Sequence, residues 1–142
     1  MAHLYQAGAT MPPVLRVAQT AVTSSTSSTL TVFVSTTATI TLTPYYTTSV
    51  FLITACGVMG GHTCWASIFR NNTNLFDPNY GQAGYERPST DFHSTNMVVL
   101  DAPGTVSPIT YEVRIRSLDA NSVLWGFFCT HTLTVIEYGE TI

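Results

Sequence analysis

Lysine is absent from this 142-residue chain, and charged side chains of either sign are scarce. They make up 9% of the residues, where roughly 25% is usual for a soluble domain. The net charge is −3 and the five arginines are scattered, whereas nucleic-acid binding requires a basic stripe. We therefore expect no nucleic-acid partner. Sparse charge also gives little protection against self-association, so we expect partners to cover much of the surface.

Long apolar runs are also missing, since none approaches the ~20 residues that span a bilayer. The first 16 residues lack the basic start and continuous apolar core of a signal peptide. These absences predict a protein made in the cytosol with no membrane partner. Three cysteines are too few, and odd in number, for a disulfide framework. We expect them to be reduced and buried as small hydrophobic residues.

Catalytic signatures are absent as well. The chain contains no Gly-x-Ser-x-Gly elbow, no phosphate-binding glycine loop and no His-Glu-x-x-His pair. Its eight carboxylates are spread along the sequence. These observations predict that the chain is not an enzyme, has no catalytic residues and needs no cofactor.

One pair of motifs is compatible with a metal site. His62 and Cys64, and likewise Cys129 and His131, stand two residues apart, so each pair shares one face if its segment is a strand. Four zinc-type ligands would converge if the two strands were adjacent. Usual zinc spacings such as Cys-x2-Cys are absent, and cysteine is commonly buried in sandwich cores. Core packing is therefore favoured over zinc, and we predict no metal site.

The clearest strand pattern lies between Ile109 and Tyr138. Apolar residues at 109, 111, 113 and 115 alternate with Thr110, Glu112, Arg114 and Arg116, which places the two sets on opposite faces of a strand. Residues 118–122 include Asp and Asn, which favour a turn. A further strand pair rich in β-branched and aromatic residues follows. A two-stranded hairpin alone is marginal in water, so this unit predicts a larger sheet.

The rest of the chain supplies that sheet. Short apolar or alternating runs predict strands at Leu30–Val34, Ala38–Leu42, Ser49–Val58, His62–Phe69 and Asn96–Leu100. The run from 49 to 58 is almost wholly apolar and is interpreted as a central strand buried on both faces. Proline ends the second strand at position 44, and glycines at 57, 60 and 61 indicate a turn or bulge. The prediction is an all-β fold: an antiparallel, jelly-roll-like β-sandwich of about eight strands.

The N-terminal segment is predicted to be irregular. Residues 1–27 form an arm in this interpretation, and residues 28–142 form the sandwich domain. The arm is either a disordered tail or a segment that becomes ordered against a neighbouring subunit. The second possibility rests on its apolar residues, among them Leu4, Tyr5, Val14 and Leu15, because freely solvated tails carry fewer of them.

A long loop is predicted between Arg70 and Ser94, where tyrosines and phenylalanines stand among Asn, Gly and Pro. Loops of this length are uncommon in compact domains and are often functional. The composition resembles that of adaptable binding loops. Candidate binding residues are Asn79, Tyr80, Tyr85 and Arg87. The alternative is a loop that merely packs over the sheet.

Two segments carry a family resemblance. Val98–Thr105 contains Asp-Ala-Pro-Gly-Thr and is followed by Ile109–Arg116, and Thr132–Glu137 has the form Thr-Leu-Thr-Val-Ile-Glu. This order resembles small β-sandwich domains of tailed-phage virion proteins. The resemblance covers residues 28–138 and implies a jelly roll that assembles as a homotrimer, with no catalytic residue transferred.

The resemblance implies a structural virion protein, made in the host cytoplasm and then located in the virion. In that interpretation it is a capsid decoration (cement) protein whose partner is the major capsid protein. The alternative is a tail-fibre or head-fibre tip that binds a host receptor or glycan through the loop at 77–88.

Overall fold

The computed structural model describes residues 12–85 and 91–139, and within them the chain forms eleven β-strands and no helix. The strands are β1 (Val14–Val22), β2 (Thr26–Ser28), β3 (Val34–Leu42), β4 (Val50–Gly61), β5 (Cys64–Arg70), β6 (Thr73–Asn74), β7 (Ala83–Tyr85), β8 (Phe92–Asp101), β9 (Ile109–Ser117), β10 (Val123–Trp125) and β11 (His131–Tyr138). The described chain therefore offers no helix of the length and hydrophobicity needed to cross a membrane.

The strands form two antiparallel sheets. The first has the order β1-β11-β4-β10-β2, with β8 on the other side of β4, and the second has the order β3-β9-β5-β6, with β7 also pairing with β5. Eight of these strands form the two four-stranded sheets β1-β11-β4-β8 and β3-β9-β5-β7, which is the strand order of a jelly roll. The predicted all-β sandwich is confirmed.

The core lies between the sheets and follows the period-two pattern. In β9, Ile109, Tyr111, Val113 and Ile115 are buried, while the intervening residues are partly exposed. These bounds and this alternation confirm the prediction for residues 109–116. From the first sheet, β11 and residues 50–55 of β4 contribute buried residues at every second position, so the core is made mainly by the central strands.

The predicted pairing after β9 is wrong. Residues 118–122 do form a turn, but β9 belongs to the second sheet and β10 to the first, so the turn carries the chain across the sandwich. β10 is short because it pairs with only three residues of β4, Met59–Gly61. A hairpin and a crossover use the same turn residues, which explains why the sequence did not separate them.

The central strand β4 differs from its prediction in two ways. It continues through all three glycines to Gly61 instead of turning at Gly57, and β8 pairs with it along Phe51–Gly60. It is also not buried on both faces. Phe51, Ile53 and Ala55 face the core, whereas Cys56 is exposed on the outer face. Residues on both faces of this strand are mostly apolar, so the sequence does not show that buried and exposed positions alternate along it.

Part of the segment predicted to be irregular is regular. β1 pairs with β11 along almost its whole length, and β2 pairs with β10. Val14 and Leu15 therefore begin an edge strand of the first sheet, while Leu4 and Tyr5 lie outside the described residues. Of the two strands predicted at 30–34 and 38–42, the first is wrong, because residues 30–33 lie outside any strand, and the second is part of the longer β3, which begins at Val34 and has a register shift between Ser35 and Thr39.

Two ion pairs, one with a fully buried carboxylate and one partly buried, lie near Phe51. Glu137 is fully buried, pairs with Arg16 and accepts a hydrogen bond from the Tyr45 amide at 2.7 Å. Asp101 binds Arg70 through both carboxylate oxygens, at 2.6 and 2.8 Å, and accepts the Tyr111 hydroxyl at 2.7 Å. Burial, followed by the hydrogen bond to Asp101, raises the pKa of Tyr111. Buried charges require such partners.

Candidate functional site

A cleft of about 280 Å³ opens on the outer face of the first sheet, at the end of β4 that is far from the two ion pairs. We call it the thiol cleft, because Cys56 from β4 and Cys129 from the β10–β11 turn both line it, together with Asn96 of β8 and Thr130. The register pairs Cys56 with Asn96 on one side and with Thr132 on the other. The cleft thus joins three segments that are distant in sequence.

The three cysteines are unbonded and differ in environment. Cys56 is exposed, and its Sγ donates to Asn96 Oδ1 at 2.7 Å. Cys129 is half-buried. Cys64 lies in the core between the sheets, and burial raises the pKa of its thiol to about 12. The prediction of buried cysteines is therefore confirmed for Cys64 and wrong for Cys56.

Thiol reactivity should follow these environments. Thiolate is the reactive form, and at pH 8 about one molecule in ten thousand carries the Cys64 thiolate. We expect iodoacetamide to modify Cys56 and Cys129 in the folded protein and to leave Cys64 unmodified. Peptide mapping by mass spectrometry would measure this, with protein unfolded in guanidinium chloride as the control in which all three react. Modification of Cys64 at the rate of Cys56 in folded protein would contradict the assignment.

The histidines do not face the Cys56 thiol. His131 begins β11 on the inner face, where it is fully buried against Trp125 with ring centroids 6.0 Å apart. Both of its ring nitrogens and Trp125 Nε1 are buried without a hydrogen-bond partner. Gly57 separates this pair from the cleft. There is no space for a side chain at this position, because a Cβ added to Gly57 would lie 3.1 Å from His131 Cβ. His93 alternates away from Asn96 along β8.

Burial gives His131 a pH-dependent effect on stability. Desolvation lowers the pKa of His131 in the folded protein, so between the ordinary value near 6.5 and the lowered value the unfolded chain binds more protons. The free energy of unfolding should therefore fall as the pH drops below about 6.5. Urea denaturation from pH 7.5 to 5 should show a weaker pH dependence for His131→Phe than for the parent and for the control His62→Asn, which changes a partly exposed histidine. Equal slopes for all three would contradict this role.

The two His-Cys motifs do not converge. Cys64 lies in β5 of the second sheet, and His131 lies in the first sheet. His62 is partly exposed between β4 and β5, with Nδ1 3.9 Å from Asp119 Oδ2. Within residues 12–85 and 91–139, no group of three or more His, Cys, Asp or Glu side chains is placed to hold a metal ion. Asp119, the carboxylate beside His62, is itself hydrogen-bonded by Asn121, and these bonds lower the pKa of Asp119.

The predicted loop residues are only partly described. Tyr80 is exposed and packs edge-on against Trp65, with ring centroids 5.3 Å apart, and the Asn79 carbonyl accepts a bond from Arg116 at 2.7 Å. Tyr85 belongs to β7, which pairs with β5, and Arg87 lies outside the described residues. A ligand-binding role for these residues remains a prediction.

A second cleft, of about 330 Å³, is lined by serines and threonine with Leu30. It contains no titratable side chain, so the thiol cleft is the stronger candidate for chemistry. Sequence analysis missed the thiol cleft because Cys56 was placed in a fully buried strand. The signal that could have revealed it is the alternation of Phe51, Ile53 and Ala55 with Leu52, Thr54 and Cys56.

Comparison with known proteins assigns the family. The family model Peptidase_C58, described as Yersinia/Haemophilus virulence surface antigen, matches residues 3–99, about two thirds of the chain. The chain belongs to this family of bacterial virulence proteins and cysteine proteases. No curated protein matches the sequence. The matched segment contains Cys56 and Cys64 but not Cys129.

This match corrects five predictions. The resemblance to tailed-phage virion domains is wrong, and with it the structural virion function, the fibre-tip alternative and the virion location, because the matching family is one of bacterial virulence surface antigens. The prediction that the chain is not an enzyme is wrong because the family is a peptidase family. The quoted motifs combine alternating strand residues with Pro-Gly turn residues, and any antiparallel sandwich uses both.

Proposed function

We propose that the chain is a cysteine peptidase whose nucleophile is Cys56. The observation that carries this proposal is the position of the Cys56 thiol: it is exposed on the wall of a cleft and lies inside the segment that matches the peptidase family. Cys64, the other cysteine in that segment, is a poor candidate because its thiol is buried and its pKa is about 12. A nucleophilic thiol must be reachable and able to ionise.

The chemistry would proceed through a thioester. The Cys56 sulfur attacks the carbonyl carbon of the scissile amide, the C–N bond breaks, and the amine leaves with a proton. Water then hydrolyses the thioester, releases the acid and restores the thiol. The Asn96 side chain, already within 2.7 Å of the sulfur, is placed to orient the thiol.

The reaction also requires a group that accepts the proton of the Cys56 thiol. Among the described residues, His131 is the imidazole held directly behind the cleft, on the inner side of Gly57. Its unpartnered nitrogens leave it able to accept a proton, but it faces the core. Catalytic hydrogen bonds often form only when substrate is bound, so the proposal requires a rearrangement around Gly57 that brings acceptor and thiol together.

Substitution of the thiol tests the proposal. We expect Cys56→Ala to lower the hydrolysis of an unfolded protein substrate by about three orders of magnitude or more and to abolish labelling by a peptidyl acyloxymethyl ketone. Cys129→Ala is the matched control, because Cys129 lines the same cleft but lies outside the family match. Circular dichroism would verify that both variants fold.

Three outcomes would contradict the assignment. A parent protein without hydrolysis or labelling would reject the peptidase activity. Full activity in Cys56→Ala would show that Cys56 is not the nucleophile, and loss of activity only in Cys129→Ala would identify Cys129 as the nucleophile. The expected homotrimer and the expected absence of nucleic-acid and membrane partners are separate matters and remain predictions.

A further inference from the structure

Three phenylalanine rings cluster at the end of the sandwich beside the thiol cleft. Phe127 and Phe128 come from the β10–β11 turn and Phe92 begins β8; we call these three residues the aromatic tip. Phe92 stacks on Phe127 with centroids 4.9 Å apart and planes at 17°, and Phe127 and Phe128 are 3.8 Å apart. Phe128 is 87% exposed and Phe92 is 40% exposed. Rings of this size are normally withdrawn from water.

The backbone holds the rings outward at a conformational cost. Phe128 has φ +61°, a left-handed conformation that is disfavoured for a bulky residue and tends to occur at functional sites. Phe92 lies directly against Gly60, where a Cβ would meet its ring at 2.3 Å. The exposed rings are therefore displayed by a defined backbone rather than by a loose side chain.

The aromatic tip carries none of the four described arginines, whose side chains bind elsewhere. Arg16, Arg70 and Arg114 pair with Glu137, Asp101 and Glu112, and Arg116 binds the Asn79 carbonyl. The chain has no lysine. Within the part of the chain that the structure describes, the tip therefore offers apolar surface without an arginine or lysine to recognise anionic lipids or acidic proteins.

The size of the tip decides between possible partners. Three aromatic side chains bury at most about 150–250 Å² each, and the three rings already cover one another in part. A specific protein interface or a stable dimer needs about 800 Å² from each partner. A lipid surface has no such minimum, because each apolar ring that enters the acyl region contributes separately.

We propose that the aromatic tip inserts into the surface of a neutral, phosphatidylcholine-type lipid bilayer. The rings enter the headgroup–acyl boundary while the sandwich stays in water. The absence of a membrane partner was expected because no run could span a bilayer, and that reasoning does not address shallow insertion from a turn. The proposal does not depend on the role of Cys56.

Vesicle co-sedimentation tests it. We expect the full chain to bind phosphatidylcholine vesicles at lipid concentrations on the order of millimolar, since few rings insert, and to bind about equally at low and high salt because the inserting rings are uncharged. Phe127→Ser/Phe128→Ser should weaken binding by at least about tenfold. Val98→Ser/Leu100→Ser is the control, because it removes two exposed apolar residues from the outer face of β8 and should leave binding unchanged.

A second variant separates insertion from folding. Phe128→Gly removes the ring and relieves the positive φ, so it should raise the unfolding midpoint and still weaken vesicle binding. No sedimentation of the parent, equal binding by the tip variants, or equal weakening by the control would each overturn the proposal. Self-association of the parent that the tip substitutions abolish, without vesicle binding, would assign the tip to a second copy instead.

Discussion

Replacing Arg16 with methionine is expected to destabilise the protein by about 3–5 kcal/mol, because it leaves a buried carboxylate without its counter-charge. Glu137 is fully buried, and its charged partner is Arg16, which also donates to the Thr43 carbonyl at 2.8 Å and lies over the Tyr45 ring. The remaining bond from the Tyr45 amide cannot neutralise the charge. Urea or guanidinium denaturation at pH 7 would measure the loss.

Two further variants show whether the unpaired charge of Glu137 causes that loss of stability. Arg16→Met/Glu137→Leu removes both charges, and it should recover much of the stability because apolar replacement of a whole buried pair is often close to neutral. Gln19→Met changes an exposed residue of the same strand and should stay within about 0.5 kcal/mol of the parent. If Arg16→Met behaved like Gln19→Met, the ion pair would have no structural importance.

Gly126→Ala is expected to cost about 3 kcal/mol, from a strained backbone and a clash. Gly126 has φ +75°, and a Cβ there would lie 2.1 Å from His131 Nδ1 and 2.4 Å from its Cε1. His131 is buried against Trp125, so it cannot move away from an added methyl group without repacking the core around it. The same turn carries Cys129 and the aromatic tip, so thermal denaturation should be measured together with alkylation of Cys129.

Gly104→Ala is the matched control for this substitution. Gly104 also has a positive φ, +66°, but a Cβ there would meet nothing within 4 Å, so only the backbone penalty of about 1 kcal/mol applies. The difference between the two variants measures the clash with His131. Equal losses would show that the turn moves away and that His131 does not restrict Gly126.

The sequence predicts the fold where one face of a strand is clearly polar. β9 could be recognised to within one residue because Glu112, Arg114 and Arg116 mark its outer face. β1 was missed because the glycine and prolines at 8, 12 and 13 and the serine-rich run at 24–28 suggested an irregular segment, and because Glu137, the partner of Arg16, stands some 120 positions away along the chain. Propensity and periodicity are local, whereas such an ion pair is not.

The site was harder to predict than the fold. Cys56 and Cys129 are distant in sequence and meet only through the pairing of β4 with β11 and the path of the β10–β11 turn. The His-Cys motifs instead suggested that Cys64 and Cys129 could meet, because residues two apart share a face of a strand. Their spacing does not say which sheet each strand joins. The exposure of Phe128 has no local signal either, since apolar residues of such a run are expected inside.

The pairing of β1 with β11 has a consequence for how the protein is made. The first sheet cannot close until residues 131–138 are available, and β3 likewise waits for β9. A growing chain that has exposed only its first hundred residues therefore lacks partners for two of its long strands, and it has to stay unfolded or bound by chaperones until late in synthesis. Pairing over such sequence distances also makes folding slow, which lengthens the period during which unpaired strand edges are open to aggregation.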